Sequence, residues 1–197
     1  MEAGTVFDPV KPLKNQKALV TGANSGIGEA CALALGAAGA AVAINYVSRP
    51  EDAERVAQQI RQGGGEAIAL QADVSREEQG HSDVCRIAED FGTIDILVNN
   101  AGLQRDSPSS QDDARAMEHR DRCQSHRAIS LCARGRARIS EARRCVESSD
   151  AAGKIICMSS VHEVIPWGGH VNYAASKGGV MQLMKSMAQE LAPKRSG

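Results

Sequence analysis

Short apolar runs alternate along this chain with segments of helical spacing. From Lys17 it reads KALVTGANSGIGEACALALGAAGAAVAINYV: an apolar run, a glycine turn, an Ala/Leu-rich helical segment, and a second apolar run at Ala41–Tyr46. Apolar runs bounded by turn residues fit buried strands, so this stretch predicts strand, helix, strand. Helical spacing over Pro50–Gln62 is ended by Gly63 to Gly65, before the strand-like AIALQAD of Ala67–Asp73. Glu77–Phe91 reads as a helix and Ile94–Val98 as a buried strand followed by NNAG. Lys154–Ser159, KIICMS, is a fifth strand, and Asn172–Leu191 a long helix that stops before Pro193. The alternation predicts an α/β fold with a doubly wound, parallel, Rossmann-like sheet. Ligands of such sheets bind beyond the carboxyl ends of the strands.

The 197 residues suffice for one domain with a buried core, and we expect a single domain over residues 1–197. A formal charge of -1 gives no whole-chain attraction to nucleic acid or to an anionic membrane, so neither is an expected partner. No apolar run has spanning length. The polar lead-in Met1–Asn15 lacks the apolar core of a secretion signal, which predicts a cytoplasmic protein. Six cysteines at irregular spacing fit reduced thiols better than a disulfide framework, and no metal site is expected.

The glycine turn TGANSGIG sets Gly22, Gly26 and Gly28 between strand and helix. There, backbone amides can approach an anionic pyrophosphate at a helix N-terminus without an intervening Cβ. Together with NNAG at Asn99–Gly102 and YAASK at Tyr173–Lys177, in that order, this spacing resembles the short-chain dehydrogenase/reductase family. The resemblance runs from about Lys17 to Leu103 and from about Ala151 to Pro193. It implies a bound NADP or NAD. Thr21, Gly22, Asn24, Ser25, Gly26, Ile27 and Gly28 would line its phosphates, and Asn99, Ala101, Gly102, Tyr173 and Lys177 the remainder. After the second strand stand Asn45, Ser48 and Arg49 in place of an acidic residue, so a 2'-phosphate would be accepted. Arg49 reads equally well as a solvated loop residue. Asp73 and Val74 match the family's adenine side, although Asp73 would also serve as a helix cap.

Oxidation of an alcohol needs a base for the hydroxyl proton and a group that holds the developing alkoxide. Tyr173 is the candidate base, and Lys177, four residues on, shares its helix face, where an ammonium favours the phenolate. By the resemblance, Lys177 also binds the nicotinamide ribose and Ser160 hydrogen-bonds the substrate oxygen. The intervening MSSVHE and IPW resemble the bacterial glucose 1-dehydrogenase branch, which oxidises β-D-glucose at the anomeric carbon to the lactone. His162 and Glu163 would then meet sugar hydroxyls, and Trp167 would offer its ring face. Alternatively, His162 and Glu163 are solvated and Trp167 covers the core. Full-length relatives would be homo-oligomers. A reading from another class is a non-catalytic dinucleotide-binding or interaction module.

Gln104–Asp150 breaks the pattern: it holds ten of the sixteen arginines, with no lysine and no aromatic residue. A nucleic-acid arm is opposed by the interspersed acids, and a metal site from His119, Cys123 and His126 lacks a fourth ligand. The genetic code offers a third account. Met117 is ATG and Glu118 begins with G, so a frame displaced by one base must read tryptophan there. Permitted codons continue this frame as MTLAQWNTVIDVNLTGQFLCAREAVREFL, which resembles the family's segment after NNAG. We therefore expect a displaced reading frame over this segment. The family's catalytic asparagine of NLTG would straddle the codons of Gln124 and Ser125, and a second displacement would explain the ending at Gly197. By this account the final strands are missing and activity is impaired.

Overall fold

The computed structural model describes residues 11–74, 94–102 and 153–191. The helix expected at Glu77–Phe91 and the arginine-rich Gln104–Asp150 lie outside the described residues.

Five strands form one sheet: β1 (Lys17–Val20), β2 (Ala41–Tyr46), β3 (Ala67–Gln71), β4 (Ile96–Asn99) and β5 (Lys154–Cys157). Their order is β3-β2-β1-β4-β5, and every pairing is parallel. Among the described residues the helices are α1 (Gly26–Ala37), α2 (Pro50–Gln62) and α3 (Val171–Leu191), with a 3-10 turn at Val161–Glu163. Strand order reverses beside β1, which leaves β1 and β4 flanking the crevice where ligands of doubly wound sheets sit.

The pleat divides the core. Ala18, Val20, Val42, Ile44, Ile96 and Val98 pack on one face against Ala32 of α1 and Ala53, Val56, Ala57 and Ile60 of α2. Leu19, Ala43, Leu70 and Leu97 face the other way, where Met187 of α3 joins them. Burial on both faces explains why the central strands read as unbroken apolar runs; all six residues of β2 are buried. Gly36 lets α1 lie close on α2, since a Cβ there would meet Ile60 Cγ2 at 2.7 Å. Across the same pair of helices, the Arg55 guanidinium grips both Glu29 oxygens, at 2.7 and 3.0 Å.

Arg49, in the left-handed region at φ 59, turns the chain into α2 with Pro50 as its first residue. At the other end the amides of Gly63, Gly64 and Gly65 close on the carbonyls of Gln59, Arg61 and Ile60, with Gly64 at φ 78. The strand boundaries differ by a residue or two from the apolar runs, because pairing, not hydropathy, ends a strand. Thus β4 extends to Asn99, and β5 ends at Cys157. No helix among the described residues is long and apolar enough to cross a membrane.

Two glycines should separate packing from turn effects. Gly36→Ala is expected to lower unfolding stability by about 1–3 kcal/mol through overpacking on Ile60. Gly63→Ala, whose Cβ would meet nothing nearer than 3.4 Å, should be neutral or stabilising by up to about 1 kcal/mol. Urea denaturation of both variants checks the pair, and equal destabilisation would contradict the packing account.

Candidate active site

The glycine turn after β1 and the NNAG loop after β4 are built as one unit. Thr21 is buried, and its hydroxyl donates to the Val98 carbonyl at 3.3 Å while accepting the amides of Asn100 and Ala101, both at 2.9 Å. Asn100 returns the contact through Nδ2, which donates to the carbonyls of Thr21 (3.0 Å) and Gly22 (3.2 Å). Gly22 is required at φ 61, and a Cβ on it would come within 3.1 Å of Ala101 Cα. At Gly28 a Cβ would strike the Gly22 carbonyl oxygen at 2.3 Å. These two glycines serve close packing of the turn.

Gly26 differs from them. It sits at φ 60 at the first position of α1, and a Cβ there would meet nothing within 4 Å. That open space before a helix N-terminus fits a phosphate group. Glu29 in the first turn would repel an anion, but Arg55 neutralises it; the hydrogen bond from Arg55 holds the Glu29 carboxyl below its ordinary value.

The turn is also stitched to the loop after β2. Asn24 Nδ2 donates to the Ser48 carbonyl at 3.0 Å, and Arg49 Nη2 to Ser25 Oγ at 3.3 Å, while Arg49 Nη1 pairs with Asp52 at 3.1 Å. Arg49 thus stands over the turn with most of its side chain exposed, as a phosphate partner would. Asn45 is placed otherwise. It is buried, its Oδ1 accepts the Gly22 amide at 3.4 Å, and its Nδ2 donates to the Ala72 carbonyl at 3.0 Å, so its side chain is scaffolding for the turn. Asp73 and Val74 come after Ala72 at the end of β3, Val74 buried in the core, and Ile27 is exposed on α1. Asn99 points along the sheet, Nδ2 donating to Cys157 Sγ at 3.5 Å. Ala101 and Gly102 complete the loop, Gly102 exposed.

Beyond β5, the chain caps its 3-10 turn with Ser160, whose Oγ accepts the His162 amide at 3.3 Å and so keeps its own O–H to donate. Tyr173 and Lys177 are one turn apart on α3. Lys177 is buried, donates to the Met158 carbonyl at 2.8 Å, and holds its Nζ 5.6 Å from the Tyr173 ring centroid, within cation–π range. Burial pushes this ammonium below the ordinary lysine value, against a smaller opposing effect from Cys157.

The loop between these residues closes on itself. Trp167 stacks on His170 with centroids 3.5 Å apart and on His162 at 4.5 Å, and His162 meets Tyr173 edge-on at 6.3 Å. Trp167 is therefore the ring shared by both histidines. Trp167 is itself partly exposed, at 44%. Glu163 accepts the Ser159 hydroxyl, and His162 Nδ1 lies 3.0 Å from the Ile165 carbonyl, to which it must donate. Among the described residues no group of acidic, histidine and cysteine side chains could hold a metal ion. Asn100 and His170 escaped the sequence reading. Strand alternation separates Asn100 from Asn99, whereas nothing in the sequence signals the fold-back of His170.

The sequence pattern of the short chain dehydrogenase family matches residues 16–195, and the chain belongs to that family. It is 38% identical over 183 residues to 3beta-hydroxysteroid dehydrogenase 1 of Eggerthella lenta, covering 91% of this chain and 66% of that protein. Among solved structures it resembles a short chain dehydrogenase from Burkholderia cenocepacia in complex with NADP, at 32% identity and a TM-score of 0.83. That match covers 92% of this chain and 70% of the other. A short-chain dehydrogenase/reductase from Serratia marcescens matches at 30% identity and TM-score 0.83, with 94% and 71% of the two chains covered.

Thr21→Val should test the clamp between the two loops. Removing the hydroxyl leaves the Asn100 and Ala101 amides without their shared acceptor, at a cost of about 1–3 kcal/mol. Thermal unfolding is the measurement; an unchanged midpoint would show that the loops stand without it.

Proposed function

We propose that the chain is an NADP-dependent oxidoreductase, impaired by the loss of the catalytic asparagine of NLTG, that oxidises a hydroxyl carried on a ring carbon, β-D-glucose at its anomeric carbon being the first candidate. The observation that carries the reading is the pairing of Tyr173 with a buried Lys177, anchored beside the end of β5 where Ser160 stands. The nicotinamide, when bound, accepts the hydride from the alcohol carbon. Ser160 donates its O–H to the alcohol oxygen, and the Tyr173 phenolic oxygen removes the hydroxyl proton. The Lys177 ammonium stabilises the phenolate that takes part in that transfer.

NADP is favoured over NAD by Arg49 above the turn, next to Ser25. The NADP complex of the Burkholderia relative supports the same choice. The glucose assignment rests on the likeness of MSSVHE and IPW to the glucose 1-dehydrogenase branch, together with the placement of His162 at the Tyr173 ring. If Nδ1 of a neutral His162 donates to Ile165, its Nε2 is an acceptor for a substrate hydroxyl. A second reading, a larger apolar alcohol such as a 3β-hydroxysteroid, is favoured by the exposed Val161, Val164 and Ile165 on the same loop. The Eggerthella relative points the same way. Binding of cofactor without turnover of either alcohol would leave the non-catalytic dinucleotide-binding module.

Cofactor affinity should separate the two nucleotides. Arg49→Ala is expected to weaken NADP about 10-fold, the worth of one charged hydrogen bond, and to leave NAD nearly unchanged. Gly26→Trp should abolish both. Calorimetric titration decides, and equal losses for NADP and NAD in Arg49→Ala would remove the argument for a 2'-phosphate.

Turnover should depend on the tyrosine. Tyr173→Phe is expected to reduce kcat about 100- to 10,000-fold, the range for a lost general base, with cofactor affinity retained. Rates with β-D-glucose and with a 3β-hydroxysteroid, each with NADP and NAD, name the substrate: we expect the higher kcat/KM with glucose and NADP. A higher value with the steroid transfers the assignment to the second reading.

A further inference from the structure

Inspection of the loop between Ser160 and α3 shows a ring column that the reaction itself does not need. His170, Trp167 and His162 stack in that order, and His162 ends edge-on against Tyr173. His170 reaches Trp167 because the chain reverses at Gly168 and Gly169, the latter at φ 80, a conformation that a side chain would resist. Its amide donates to the Trp167 carbonyl at 3.2 Å and its Nδ1 lies 3.0 Å from the Gly168 carbonyl. Its own carbonyl accepts the Ala174 amide at 2.9 Å, which fixes it to the first turn of the helix that carries Tyr173 and Lys177.

We propose that His170 is a positioning residue: through Trp167 it sets His162 at Tyr173, so the loop's fit for the alcohol depends on a side chain that does not touch it. The column runs from α3 through the loop and back to α3. Trp167 is 44% exposed, and Val164 and Ile165 beside it are 74% and 54% exposed among the described residues. Stacking joins the hydrogen bonds of Ser160, Glu163 and His162 in holding the loop. Parallel aromatic contacts have geometry-dependent strength, and a ring at position 170 supplies the contact whether or not it carries nitrogen. Nδ1 of His170 is engaged within its own turn, and it is the ring face that meets Trp167. The proposal rests on the reading of this loop as the substrate wall, and the test below separates the two.

Trp167 is the only tryptophan of the chain, so its fluorescence reports on the column without interference. The full chain loaded with NADP is compared as the parent, His170→Ala and His170→Phe. His170→Ala should raise acrylamide quenching of Trp167 and shift its emission to the red. It should also raise KM for the alcohol about 2- to 12-fold, the worth of one aromatic pair, with kcat within about 2-fold. His170→Phe should restore both quenching and KM. Equal quenching in the parent and His170→Ala would overturn the proposal, as would restored protection in His170→Phe with KM still raised. Adding glucose or the steroid to the NADP-loaded parent should change the Trp167 emission; no change with either overturns the coupling to substrate. Absence of turnover with these fluorescence responses intact would instead count against the proposed oxidoreductase activity.

Discussion

One hydroxyl group holds the two halves of the site together. Thr21 Oγ1 has one proton and two lone pairs, and all three are committed, to Val98 behind and to the amides of Asn100 and Ala101 ahead. In a buried position each of these groups would otherwise be a polar atom without water. Their satisfaction forces the chain leaving β1 to run beside the chain leaving β4. The close approach of Gly22 to Ala101 and the fit of Gly28 under Gly22 follow from that constraint. The open position at Gly26 is what remains: Gly22 and Gly28 are packed tight, whereas a Cβ on Gly26 would meet nothing within 4 Å.

The fold was legible because its strands are buried on both faces and its helices on one. Pro50–Gln62 was read to the residue, since Pro50 starts it and three glycines stop it. The glycine turn was legible for the same reason, as its residues have few other uses in that order. The Tyr173 and Lys177 pair came from spacing on one helix, and the structure sets the two side chains together. What the sequence hid was the direction of polar side chains. Asn45 sits where a cofactor contact was expected, yet it faces inward and spends both ends of its amide on backbone. Asn99 and Asn100 are indistinguishable in NNAG until the pleat sends one toward Cys157 and the other toward the turn. Trp167 was legible as a loop residue, but its stacking with two histidines, three and five residues away, was not.

Electrostatics at the turn follow from pairing more than from net charge. Glu29 at the head of α1 is held by Arg55 from α2, so the helix end keeps its attraction for an anion. Arg49 is shared between Asp52 and Ser25, an exposed arrangement in which an incoming phosphate competes with a carboxylate. The charge at the turn is therefore adjustable from α2, without touching the glycines. At Lys177 burial acts instead, lowering the ammonium's pKa because loss of water disfavours the charge.

The bond from the Ala101 amide to Thr21 joins residues 80 apart in the chain. A nucleotide pocket closed by such a contact has no local precursor: neither loop has its shape until the parallel strands between them are in register. Assembly of the pocket and assembly of the sheet are then the same event, and contacts this distant are slow to form. A nucleotide that recognises the finished pocket, and has no affinity for the unfolded chain, would draw the population toward the folded sheet by mass action. Its occupancy would measure how much of the chain is folded, a gauge of conformation as well as a step toward chemistry.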